Sequence, residues 1–90
     1  MASREHEYED QLHKEGFKHV YVWQDGPDTW YPERRHPTVS AHMVLEGEVT
    51  VTINGKSRKY GVGERCDVPG GTVHSVRMGP KGCRYVIGEK

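Results

Sequence analysis

Residues Val49 to Ile53 alternate apolar and polar side chains, and Asn54-Gly55 follows at once. No other feature of the chain limits the fold as much. Period-two alternation puts Val49, Val51 and Ile53 on one face of a strand, with Thr50 and Thr52 on the other. Asn-Gly supplies the two positive φ angles that a two-residue hairpin turn needs. Ser57 to Tyr60 then returns as the partner strand. A two-stranded hairpin is marginal alone in water, so the chain must supply further strands.

It does so on both sides. Lys18 to Trp23 is β-branched and aromatic, a strand composition. Trp30-Tyr31 is strand-like, and Pro32 confines it to an edge or a strand end. Ser40 to Leu45, Arg65 to Val68, Val73 to Met78 and Cys83 to Ile87 read as further strands. Turn residues separate them at Asp25-Gly26-Pro27-Asp28, Glu46-Gly47-Glu48, Gly61-Val62-Gly63, Pro69-Gly70-Gly71 and Gly79-Pro80-Lys81-Gly82. About seven or eight short strands at this spacing predict an all-β barrel or sandwich.

Residues 1–16 differ in character. They are polar and rich in helix formers, and Tyr8 and Leu12 share one helix face. Ser3 is placed to cap a helix and Gly16 to end one. The expectation is a short N-terminal helix or arm over residues 1–16, lying on a β domain over residues 17–90. His6 and His13 belong to its solvated face.

A chain of 90 residues has room for one domain with a modest core, which a second subunit would help. A homodimer is therefore expected. The 13 basic and 13 acidic residues cancel, and the basic ones form no run. Nothing in that balance favours nucleic acid or an anionic membrane. No apolar stretch approaches the ~20 residues needed to span a bilayer. The N-terminus lacks a signal peptide's apolar core, so the cytoplasm is the expected location. Cys66 and Cys83 are then expected as free thiols, small and buried.

Two spaced motifs lie in the central two thirds of the chain. In the first, Arg34-x-His36 is followed by three residues, Ser40, six residues and Gly47. In the second, Gly63 is followed by five residues, Pro69-Gly70-Gly71, two residues, His74, three residues and Met78. Together with Val44-Leu45-Glu46-Gly47-Glu48-Val49 they resemble the cupin superfamily. The resemblance implies a single cupin-type antiparallel, jelly-roll-like β-barrel. It also implies metal ligands at the first motif's two histidines and glutamate and at the second motif's histidine. His36 and His74 match that pattern. Arg34 and Ser40 stand in place of the first histidine and the glutamate, Met78 in place of the second motif's asparagine, and Asp28 at the first motif's opening glycine.

Side-chain alternation offers a replacement ligand. Ser40 and His42 point to one face of their strand, so His42 faces inward if Ser40 does. His36, His42 and His74 would then converge. Three imidazoles with open positions suit a divalent ion such as Zn, Fe, Ni, Cu or Mn. The competing reading is a polar core in which the histidines bond to one another, to Ser40 or to tyrosine hydroxyls. Arg34, turned inward, would clamp a carboxylate with two hydrogen bonds; turned outward, it is solvated. Met78, Trp30 and Tyr85 are candidates for the pocket wall, with Tyr21 and Trp23 beside them. Met43 and Leu45 lie opposite His42 and need cover from the N-terminal helix or a second subunit.

The expected function is a pocket for a divalent metal and a small, anionic organic molecule, with metal-dependent oxygenase or isomerase chemistry open to it. The alternatives are a ligand-binding or sensor barrel without turnover, and a structural barrel with a vestigial site. The signature of the last is an interior filled by side chains.

Overall fold

The computed structural model describes residues 4–35 and 37–90. Its elements are α1 (Glu5–Lys14), β1 (His19–Asp25), β2 (Trp30–Arg35), β3 (Ser40–Ile53), β4 (Lys56–Gly61), β5 (Arg65–Val68) and β6 (Val73–Glu89). Every strand pairing is antiparallel. Asn54 and Gly55 take φ of 49° and 81°, so the hairpin between β3 and β4 closes as its dipeptide dictates.

Two segments read as turns prove to be bends inside long strands. β3 runs through Glu46-Gly47-Glu48 and β6 runs through Gly79-Pro80-Lys81-Gly82. The two strands pair along most of their length, and their register shifts between Val44 and Glu46 and again between Gly47 and Val49. Gly47 (φ 75°) and Gly82 (φ 78°) face each other at that corner. A Cβ on Gly47 would stand 2.1 Å from the Gly82 carbonyl oxygen, so only glycine admits this approach. Because both strands bend together, pairing continues through the corner and six strands result instead of seven or eight.

The bend divides the strands into two layers. One holds β2, the first part of β6, the second part of β3, and β4. The other holds β1, the end of β6, the start of β3, and β5. Strands that switch layer through a bulged corner are the usual way to close such a fold. Pro32 falls in the register shift of β2, an edge strand, where its missing N–H costs no ladder bond. The main core lies between the layers and includes Val44, Val49, Val51, Val68, Met78 and Ile87.

A second apolar cluster lies outside the β1 layer. Leu12, Phe17, Ala41 and Val86 are buried there, with Tyr8, Val20, Val22, Met43 and Leu45 packed against them. The helix thus covers the outward face of β3. Its end is sequence-determined: Gly16 takes φ 92°, its N–H bonds to His13 O at 3.0 Å, and Phe17 N–H bonds to Leu12 O at 3.1 Å. Arg65 holds Glu15 at 2.6 Å and Arg84 pairs with Glu5, so both helix ends are tied to the barrel. Ser3, expected as the cap, lies outside the described residues. No helix among the described residues is long and apolar enough to cross a membrane.

Candidate functional site

The two layers do not meet completely. Between them is a cavity of about 260 Å³. Its floor is aliphatic, from Val49, Val51, Val68, Val76 and Ile87. Its polar wall comes from both layers: Tyr31, Arg34 and His74 on one side, Tyr21, Ser40, His42, Tyr85 and Glu89 on the other.

His42 stands on β3, two residues after Ser40, and both line the cavity as alternation requires. His42 Nδ1 lies 3.4 Å from the carbonyl oxygen of Cys66. His74 Nδ1 lies 3.2 Å from the carbonyl oxygen of Thr72. A carbonyl only accepts, so each Nδ1 is the donor, and in a neutral ring the lone pair then sits on Nε2. Burial pushes the His42 pKa down to about 4, with His74 adding to the effect, so His42 is neutral at pH 7. Neutral rings fixed by a second-nitrogen bond to backbone are the arrangement that metal-ligating histidines adopt.

Among the described residues, no group of three or more His, Cys, Asp or Glu side chains could hold a metal ion. His36, expected as the third ligand, lies outside the described residues.

Arg34 lines the cavity with its guanidinium 4.8 Å from the centre of the Tyr31 ring. On the backbone it pairs with His74. Tyr85 is buried and lines the cavity as expected of a wall residue. Two other wall candidates lie elsewhere. Met78 is buried in the core away from the cavity lining, and Trp30 points outward, 57% exposed. Trp30 fails because it precedes Tyr31 on the same strand, and adjacent side chains take opposite faces.

Asp25 is a turn residue by composition, and in the structure it is the hub of a polar network. Asp25 is buried, and its carboxylate accepts from Tyr31 Oη (2.7 Å), Tyr85 Oη (2.7 Å) and Trp23 Nε1 (3.1 Å). The signal was present: Tyr21, Trp23 and Asp25 are spaced by two along β1 and therefore share one face. Burial and then the Asp25 carboxylate raise the Tyr85 pKa; for Tyr31 the Asp25 hydrogen bond comes first, then burial. At the rim, Tyr21 Oη donates to Glu89 Oε1 at 3.2 Å, and burial with that charge raises its pKa. Cys66 and Cys83 are free, buried thiols, with burial pushing Cys83 up to about 12. Among the described residues no buried side-chain nitrogen or oxygen lacks a hydrogen-bond partner.

Solved structures share this architecture. The DMSP lyase DddQ from Ruegeria pomeroyi DSS-3 superposes with a TM-score of 0.71 at 24% identity, over 79% of this chain and 36% of the lyase. A protein of unknown function from Rhizobium leguminosarum bv. viciae 3841 gives 0.73 at 20% identity, over 78% of this chain and 66% of that one. KdgF from Halomonas sp. gives 0.65 at 15% identity, over 79% and 67%. The chain thus spans about a third of the lyase and about two thirds of the other two. Likeness at these identities establishes the fold alone. No curated protein matches the chain. Residues 20–87 match the model of the cupin domain, and the chain belongs to that family.

Proposed function

We propose that the cavity binds a small organic carboxylate anchored by Arg34, beside a divalent metal ion held by His42 and His74 with His36 as third ligand. The observation that carries this reading is one cavity with a guanidinium and two imidazoles on its wall. Its volume is below the roughly 300–1,000 Å³ of drug-sized sites, which favours a small metabolite. Open space of this size also speaks against an interior filled by side chains.

A guanidinium fits a carboxylate through two parallel hydrogen bonds. The imidazole donors suit a borderline divalent ion, which when bound would act as a Lewis acid on a ligand oxygen. The remaining groups favour binding over acid–base turnover. Burial and carboxylate neighbours hold Tyr21, Tyr31 and Tyr85 as phenols. His42, with its pKa at about 4, is a weak base at neutral pH.

Calorimetric titration of malate and lactate into the protein tests the anchor. Charge-assisted hydrogen bonds contribute about 1.5–3 kcal/mol, so Arg34→Met is expected to weaken binding by about 10- to 100-fold. Equal affinity in the variant, or no binding to the unaltered protein at millimolar ligand, contradicts the reading.

A further inference from the structure

The three tyrosine hydroxyls on the cavity wall all donate their hydrogen bonds to carboxylates. Tyr31 and Tyr85 donate to the two oxygens of Asp25, and Tyr21 donates to Glu89. A phenol has one proton, so a hydroxyl that donates outward presents only lone pairs inward. The indole N–H of Trp23 donates to Asp25 and also to the Tyr31 oxygen, so the free phenol lone pairs are chiefly those of Tyr85 and Tyr21. His42 adds to this, because its Nδ1 proton points at a carbonyl and its lone pair sits on Nε2. Among the described residues, the side-chain donors left on the wall are Arg34 and the hydroxyl of Ser40.

We infer that Asp25 and Glu89 set the ligand class, by turning the tyrosine wall into a hydrogen-bond acceptor that selects a hydroxylated carboxylate over its keto and deoxy counterparts. The inference rests on the proposed carboxylate pocket and adds what the rest of the ligand must carry. The carboxylate meets Arg34, and the hydroxyl donates to a phenol oxygen. A keto oxygen at that place would set lone pair against lone pair. A methylene would leave the phenol oxygen without its partner. Asp25 acts as a positioning residue, since it fixes the direction of two phenol protons and does not line the cavity, whereas Glu89 fixes that of Tyr21 and itself stands on the wall.

Two sets of probes test this by calorimetry on metal-depleted protein, lactate with pyruvate and propionate, and malate with oxaloacetate and succinate, each repeated with Zn²⁺. Sites built to bond a hydroxyl discriminate strongly, so each hydroxy acid is expected to bind at least about tenfold more tightly than its partners. Asp25→Asn changes the hub chemically while keeping its shape. A carboxamide accepts at one end and donates at the other, which turns one phenol proton into the cavity. The preference should fall to within about threefold, with Arg34 still anchoring the carboxylate. Tyr85→Phe, which deletes an acceptor and one donor to Asp25 but keeps the carboxylate, should lower hydroxy-acid affinity and leave succinate unchanged. Keto or deoxy acids that bind the unaltered protein as tightly as hydroxy acids overturn the inference and leave the pocket reading in place. No binding by any acid overturns both.

Discussion

Asp25 and Tyr85 stand 60 positions apart in the chain, yet the tyrosine hydroxyl lies 2.7 Å from Oδ2 of the carboxylate. The contact exists because β1 and β6 pair antiparallel with Trp23 opposite Tyr85 and Asp25 opposite Cys83. It joins the edge strand of one layer to the long strand that crosses both.

The network predicts unequal losses at its two ends. Tyr85→Phe removes one donor and is expected to cost about 1 kcal/mol. Asp25→Ala strands three donors at once, those of Trp23, Tyr31 and Tyr85. Its expected cost is about 2–4 kcal/mol, since a buried donor left without a partner carries its desolvation cost. Urea denaturation of the two variants measures the order directly.

The corner predicts a contrast between two glycines of similar φ. Gly47→Ala adds a Cβ 2.1 Å from a backbone oxygen, on a strand that cannot move without unpairing from β6. That variant is expected not to fold. Gly55→Ala has φ 81° but nothing within 4 Å of the added atom. It is expected to lose only about 1 kcal/mol, the cost of the positive φ. Circular dichroism melting curves separate the outcomes.

Stability should depend on pH in two windows. The folded protein holds His42 at about 4 against an ordinary 6.5. The unfolded chain therefore binds that proton first as pH falls. The stabilisation is whole above pH 6.5 and is lost as pH drops through about 4, a change on the order of 3 kcal/mol. Glu15 acts lower. The Arg65 hydrogen bond holds it at about 2 against 4.5, so its contribution is whole above pH 4.5 and fades towards pH 2. In metal-free protein, His42→Gln should flatten the upper window alone, as read by denaturation midpoints from pH 7 to 3.

The strands were legible because their period is local. Val49 to Ile53 and Asn54-Gly55 determine one another without reference to distant residues. The helix stop at Gly16 was legible for the same reason. The corner was not, because a glycine in a turn and a glycine in a bent strand look alike until the partner strand is known. Gly47 needs Gly82, 35 positions later, to show which it is. The site divided in the same way. Ser40 and His42 share a face by alternation, and both line the cavity. Asp25 was obscured by Gly26 and Pro27, whose turn chemistry outweighed the period-two series Tyr21, Trp23, Asp25 that carries it inward. Trp30 shows the converse, an aromatic that suits a wall in composition but has the wrong parity for its strand.

Long-range ¹H–¹⁵N NMR of the histidine rings tests the metal-bearing pocket most directly, recorded before and after addition of Zn²⁺ to metal-free protein. The account predicts that His42 and His74 carry their proton on Nδ1, and that one equivalent of Zn²⁺ shifts the Nε2 resonances of both. Nε2 signals of His42 and His74 that stay in place while Zn²⁺ is added to excess would contradict it.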